Sequence, residues 1–349
     1  MLGIDVSKDN LVCALVQSGT HKTVWRDSYP NTVSGVNQLL RRLNATTSLV
    51  VEPTGRYSDL VVRLATEKGK TVLLAPPRRA KSFLESIQSR AKTDPLDGRG
   101  LGMFALSQPL RLFQPKSTAV EQVEQLLSAR KGLSRTLAAL EMQHKELPHA
   151  AARLEPVIAA IKEQKAALDK QIATLTQGNR SVPALPEFAI ARSLDAVPGI
   201  GPVVAAAVAA RLNSKQFAHP DAFVAYIGLD VTVRQSGKRS GQRGLTKQGD
   251  AELRRLLYLS AQANLRCKDP NNPFKRQYQR ELDKGMKTTA ALCAVARKLA
   301  KLCWSLHRYG TTYDAQRVLE QPTRAKKVLP EELAPREGAT STHDLANLD

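Results

Sequence analysis

Ser48-Leu49-Val50-Val51-Glu52-Pro53-Thr54-Gly55 is an apolar, β-branched run that ends in an acid and breaks into a Pro/Gly turn. A run of that kind bounded by turn residues predicts a buried strand. The pattern around it alternates. Residues 33–43 carry amphipathic helical spacing, 57–68 read as a helix, 71–75 as a strand, and Pro76-Pro77-Arg78-Arg79 as a break. Strands alternating with helices from 45 to 107 predict an α/β layer with partly parallel strands. Sites in such sheets form at the carboxyl ends of strands, and Glu52 stands at one. Taken alone, Glu52 reads equally as a solvated strand-end carboxylate.

Upstream, Leu2-Gly3-Ile4-Asp5-Val6 is a short apolar strand with one acid inside it, a turn follows at Ser7-Lys8-Asp9-Asn10, and 11–16 reads as a second strand. A third is expected around 23–26, so the chain begins as a β-hairpin or meander. An acid in a buried strand is costly unless it is paired or bound to a cation, so Asp5 requires a partner. Downstream, Lys92-Thr93-Asp94-Pro95-Leu96-Asp97 sets two carboxylates three residues apart at a helix start. That spacing puts them on one helical face. Read locally, Asp94 before Pro95 is an N-cap and Asp97 the third position of a capping box.

From 116 to about 178 the composition shifts to Ala, Glu, Lys and Gln, with apolar residues at helical spacing. Two long helices broken near 148–156 are expected, as an antiparallel hairpin or coiled-coil arm. Dimerisation, a nucleic-acid-spanning arm and a plain spacer all fit. A linker follows from Gly178 to Pro186. Val197-Pro198-Gly199-Ile200-Gly201-Pro202, ahead of an Ala/Val helix, has the form of a helix-hairpin-helix turn, whose backbone N–H groups can meet a phosphate. Plain helix connectors share that form. Residues 228–244 make a loop rich in Gly, Ser, Arg and Lys, suited to close approach to a phosphate backbone or merely to adding affinity. Basic-faced helices are expected over 250–265 and 288–308, and a disordered tail beyond 313.

The chain has 349 residues and a formal net charge of +20. Residues 191–310 hold 21 basic against 8 acidic groups, so most of the excess sits in one third of the chain. A polyanion, DNA or RNA, is the natural partner of such a surface. Cys13, Cys267, Cys293 and Cys303 have neither CxxC nor paired spacing, which argues against a zinc ribbon or a disulfide framework and for a reducing, cytoplasmic setting. No signal peptide and no membrane-spanning run are expected.

Asp5, Glu52, Asp94 and Asp97 form an acid set D…E…D-x-x-D. Four carboxylates in one site repel one another unless a multivalent cation joins them. Two Mg²⁺ ions roughly 3.5–4 Å apart would satisfy them and clamp the attacking and leaving oxygens of a phosphodiester.

Gly3-Ile4-Asp5-Val6-Ser7-Lys8, Glu52-Pro53-Thr54-Gly55-Arg56-Tyr57 and Lys92-Thr93-Asp94-Pro95-Leu96-Asp97 resemble, in that order, the DEDD transposases of insertion-sequence family one-ten. That group also includes the Piv-type site-specific invertases. In the C-terminal half the resemblance rests on Pro198-Gly199-Ile200-Gly201, Phe223-Val224-Ala225-Tyr226-Ile227-Gly228-Leu229 and Gln235-Ser236-Gly237, and it covers most of residues 1–310.

It implies an α/β N-terminal RuvC-like (RNase H-type) domain over 1–115, with Mg²⁺ on the four acids. A coiled-coil or helical arm over 116–185 would follow, then a mainly α transposase domain over 186–312 and the tail over 313–349. It implies Ser236 as the nucleophile, in a site composed with the acidic domain of another subunit of a dimer or tetramer. The partners implied are DNA, as element ends and target, and a structured bridge RNA; the setting implied is prokaryotic, cytoplasmic and nucleoid-associated.

Candidate nucleic-acid contacts are Lys8, Arg56, Arg78, Arg79, Lys92, Gly199, Gly201, Arg234, Lys238, Arg239, Arg243, Lys247, Arg254 and Arg255. Two departures stand out. Gly98 occupies a position where the family more often has alanine, and Ser240 lies close enough to Ser236 to compete for its role. The alternatives are a RuvC-like junction-resolving nuclease that uses water, and a non-catalytic nucleic-acid-binding protein with structural acids.

Overall fold

Leu2, Ile4 and Val6 alternate with Gly3 and Asp5, and this period of two decides which face of the first strand meets which layer. In the computed structural model, residues 1–53, 55–87, 94–232, 235–236, 239–240, 244–269 and 271–320 are described. The chain divides into two units, Met1–Ser117 and Thr118–Asp349.

The first unit is built on a six-stranded sheet. Its strands are β1 (Leu2–Val6), β2 (Asn10–Val16), β3 (Thr23–Pro30), β4 (Leu49–Val51), β5 (Val72–Leu74) and β6 (Arg111–Leu112), in the order β3-β2-β1-β4-β5-β6. β1, β4 and β5 are parallel neighbours, while β2, β3 and β6 pair antiparallel. Helices α1 (Val33–Arg41), α2 (Arg56–Glu67), α3 (Pro77–Ile87) and α4 (Asp94–Ser107) complete it. Leu2, Ile4, Val6, Leu49 and Val51 share one core with Val36 and Leu39 of α1 and Val61 and Ala65 of α2. Val50 on the other face packs with Ala80 of α3 and Leu101 and Phe104 of α4. The expected α/β layer is present. The break expected at residues 76–79 is shorter than that: Pro77 opens α3, where its missing N–H costs nothing, and Arg78 and Arg79 lie in the first turn.

The second unit is mostly helical. α5 (Thr118–Glu146) and α6 (Ala151–Gln177) pack against each other across a short connection, with Pro156 inside α6 rather than in the break. Arg130 and Asp169 form an ion pair between them, as do Lys162 and Glu141 at 2.9 Å. α7 (Ala191–Asp195), α8 (Pro202–Ser214), α9 (Pro220–Ile227), α10 (Ala251–Arg266), α11 (Pro273–Asp283), α12 (Thr288–Tyr309) and α13 (Ala315–Glu320) follow. Ala205–Ala210 of α8 are buried at the centre, where small side chains let neighbouring helices approach closely. Val120, Val123 and Ile172 join that core, so the near ends of α5 and α6 belong to it.

Part of the segment expected to be a tail is helical. α13 buries Val318 in the same core. Residues 321–349 lie outside the described ones.

Candidate functional site

The register of β1 and β4 pairs Gly3 with Val50 and Ile4 with Val51. Asp5 and Glu52 therefore follow as the next neighbours, at the carboxyl ends of adjacent parallel strands. Both are half-buried. By alternation they share the face of Gly3 and Val50, the face that α3 and α4 cover.

Glycines set how closely α4 lies on that face. A side chain at Gly3 would collide with the Gly98 carbonyl and the Gly102 amide nitrogen, and a Cβ at Gly98 would stand 2.9 Å from the carbonyl oxygen of Val12, the residue opposite Asp5. Gly98 thus permits close approach rather than simply weakening a helix. Gly98 lies toward the Gly3 carbonyl and Gly102 toward its amide, so α4 runs against β1. The turn of α4 that begins at Asp94 consequently sits at the Asp5 end of the sheet. The positive end of a helix dipole favours carboxylates there.

Among the described residues no three His, Cys, Asp or Glu side chains gather to hold a metal. The side chains of Asp94 and Asp97 lie outside that description. An all-carboxylate donor set is hard and suits a divalent cation such as Mg²⁺, Mn²⁺ or Ca²⁺ rather than zinc.

In the second unit, α9 ends at Gly228, left-handed at φ 75. The segment beyond it, expected as a loop, carries two small antiparallel ladders. β7 (Val231–Thr232) pairs with β10 (Gly244–Leu245), and β8 (Gln235–Ser236) pairs with β9 (Arg239–Ser240). Ser236 stands opposite Arg239, and Ser240 opposite Gln235. Gly237, Lys238 and residues 241–243 lie outside the described ones.

The foot of this hairpin is firmly held. The Arg254 guanidinium donates to the carbonyl of Ile227 at 2.8 Å, and Arg297 of α12 donates to that of Leu229 at 3.0 Å. Thr246 Oγ1 donates to Asp230, Thr232 Oγ1 donates to the carbonyl of Gly244 at 2.7 Å, and the amide of Asp250 donates to Tyr226 at 3.0 Å. Asp250 caps α10 by accepting from the amides of Glu252 and Leu253, and it pairs with Arg211 at 2.7 Å. Burial disfavours its charge. The Leu253 amide and the Arg211 guanidinium outweigh that and hold its carboxyl below the usual range.

The remaining candidates fall in several settings. Lys8, Arg78, Arg79, Lys247 and Arg255 are exposed. Arg79 also donates to Gln108 at 2.7 Å, and Arg255 pairs with Glu252 at 2.6 Å. Arg254 is half-buried, with one arm committed to the hairpin foot. Lys92, Arg234, Lys238 and Arg243 lie outside the described residues, and for Arg56, Arg239 and Ser236 only the backbone is described.

Gly199 is left-handed, at φ 80, and a side chain there would collide with Asn264 and the Ser260 carbonyl of α10. Asn264 Nδ2 donates to the carbonyl of Pro198 at 2.7 Å and accepts at its oxygen from Asn272, which docks the glycine turn onto α10. Gly201 is the N-cap of α8. Sequence reasoning missed Arg297 and Asn264. Both sit within helices, where only a three-dimensional neighbour gives a side chain its task.

Two family models match. One, described as a transposase of the IS116/IS110/IS902 family, spans residues 191–279. The other, described as a transposase of the DEDD type in IS110, spans residues 2–147. A probable family 20 transposase of Pseudomonas aeruginosa is 29% identical over 191 residues, 54% of this chain and 56% of the relative. The chain thus matches just over half the length of that relative. A pilin gene-inverting protein of Moraxella lacunata is 24% identical across 90% of this chain and 97% of its own length. A transposase for insertion sequence element IS1111A of Coxiella burnetii is 24% identical across 90% and 91%. The acid-bearing sheet and the hairpin unit each fall within a matched region, in the order that the motifs set out, and the chain belongs to the IS110 family of transposases.

Proposed function

We propose that this chain is a DNA transposase and recombinase that excises and inserts its own element by strand cleavage and exchange. Its first unit is read as RuvC-like, of RNase H type. The observation that carries the reading is the placement of Asp5 and Glu52 side by side at the carboxyl ends of β1 and β4, with the start of α4 at the same end of the sheet. Asp5, Glu52, Asp94 and Asp97 would hold Mg²⁺, which when bound supplies positive charge against the anionic phosphate oxygens.

Ser236 is the proposed nucleophile. Its Oγ forms a bond to phosphorus while the bond from phosphorus to the leaving strand oxygen breaks, and that oxygen departs as a hydroxyl carrying a proton. Attack by the hydroxyl of another strand end reverses the step, restores a phosphodiester and frees the serine, so no water is consumed. Arg254 and Arg297 hold the hairpin foot, and exposed basic residues, Lys8, Arg78, Arg79 and Lys247 among them, meet phosphates.

Among the described residues no helix is long and apolar enough to cross a membrane. The family resemblance supports a structured bridge RNA as guide, a dimer or tetramer as the working form, and a cytoplasmic, nucleoid-associated setting.

The test is an excision and insertion assay with the chain and its co-expressed nucleic acid. Asp5→Asn, Glu52→Gln and Ser236→Ala are each expected to abolish strand transfer while nucleic-acid binding persists. Sequencing of the nucleic acid that co-purifies should return a defined RNA transcribed from beside the gene. Cleavage that survives in Ser236→Ala would favour a water-using nuclease. Full activity in the acid variants would remove the acids from the chemistry, and binding without strand transfer by the unaltered chain would favour a binding protein.

A further inference from the structure

A second feature of the C-terminal unit lies apart from the hairpin. A cleft of about 380 Å³ opens between the α5–α6 pair, the start of α8 and the middle of α10. Arg130 and Ser134 of α5, Lys165 of α6, Gly199 of the glycine turn, and Arg255 and Ser260 of α10 line it. The first turn of α8 lines it as well, through Val203 and Val204. Gly201 offers that turn no side-chain cap, and Pro202 has no N–H of its own. The helix therefore presents its positive end toward the cleft.

The second observation is independent of the helix end. Ser134 Oγ and Ser260 Oγ, on opposite walls, are buried and have no hydrogen-bond partner in the protein. Ser260 is only 2% exposed. A buried serine in a helix commonly donates to the carbonyl one turn back, and a native core rarely leaves such a hydroxyl unpaired. Two donors without acceptors at one cleft call for a ligand rich in acceptor oxygens.

Charge narrows the class. Arg130 and Lys165 share Asp169, the latter at 3.6 Å, and Arg255 is held by Glu252 at 2.6 Å, with Lys131 sharing Glu252 from the neighbouring side at 3.7 Å. Cations exceed carboxylates, so the cleft favours an anion. Gly199 contributes backbone to the lining.

We propose that this cleft is a backbone-phosphate site that seats one phosphodiester of a bound nucleic acid. The hydroxyls of Ser134 and Ser260 and the first turn of α8 act as donors, and Arg130, Lys165 and Arg255 supply countercharge. The proposal rests on the nucleic-acid reading of the chain. It extends the contact surface from the glycine turn to the helical pair, which composition alone left as either arm or spacer.

The test uses the full chain, a random-sequence DNA duplex and a single-stranded RNA, with fluorescence anisotropy across a salt series. Ser260→Ala removes an unpaired buried hydroxyl, so Tm is expected to hold or rise, while affinity for the seated nucleic acid falls about tenfold. Lys165→Gln is expected to flatten the plot of log K against log salt by about 0.9 for duplex or about 0.7 for single strands. Loss with the duplex alone assigns the site to DNA, and loss with the RNA alone assigns it to RNA. Unchanged affinity and salt slope in both variants, or a Ser260→Ala that lowers Tm and binds normally, would overturn the site. Wild-type chain that binds neither probe would instead overturn the functional reading beneath it.

Discussion

At the scale of single residues, the acid site depends on glycines as much as on acids. Gly3 and Gly98 let α4 lie directly on β1, and no larger residue fits either position without moving backbone. Gly3→Ala is expected to lower stability by about 1–3 kcal/mol or more, as overpacking does, and to abolish strand transfer. Thermal unfolding alongside the excision assay checks both. Gly98→Ala, at 2.9 Å from the Val12 carbonyl, should be milder in stability yet still reduce activity, because it displaces the turn bearing Asp94 and Asp97.

Asp250 gives a pH signature. Its carboxyl lies below the ordinary range in the folded chain, so it adds stability above the unfolded value of about 3.9, and that stability is lost as pH falls through the folded value. Tm should therefore drop on acidification below about pH 4. Asp250→Asn should lower Tm at neutral pH and flatten that part of the profile. An unchanged acid profile in the variant would remove Asp250 from the account.

At the scale of elements, the β7–β10 ladder is a hairpin with a clamped foot. Arg297→Gln removes the donor to Leu229, at an expected cost of about 1–3 kcal/mol if the carbonyl is left unpaired. DNA binding should persist while the yield of any covalent protein–DNA product falls several-fold. Binding and product falling together would instead mark a general loss of structure.

The elements differ in how far composition revealed them. The alternation of Leu2, Ile4 and Val6 with Gly3 and Asp5, and the run ending at Glu52, made the sheet and its acid edge readable, because a strand's period is carried in its own residues. The long helices were readable for the same reason. Their break was readable at Pro148 but not in its length: the chain turns at 147–150, and Pro156 is accommodated inside α6. The ladders at 231–245 were hidden because Gly, Ser and Arg suit loops and hairpins alike, and the side chains that hold their foot come from distant helices. α13 was hidden because the docking of Val318 outweighs a polar local sequence.

At the scale of the whole molecule, the net charge of +20 makes ionic strength the first variable of any binding experiment. A surface that neutralises 6–10 phosphates loses about 10³–10⁵ in affinity between 50 and 200 mM salt. A comparable fall is expected here, and a flat response would argue against backbone recognition. One unit carries the acid pair and the other the serine hairpin, and the proposed strand transfer needs both. Loss of the acids and loss of Ser236 are therefore expected to block the same covalent step.

The most direct measurement is to incubate the chain with Mg²⁺, its co-purified nucleic acid and a duplex of its own element end that carries a nick to trap the cleaved strand. Denaturing electrophoresis and peptide mapping then locate any covalent protein–DNA link. A link at Ser236 is expected, absent from both Ser236→Ala and Asp5→Asn. Cleaved DNA with no protein attached, a link that maps to Ser240, or a link that persists in Asp5→Asn would contradict it.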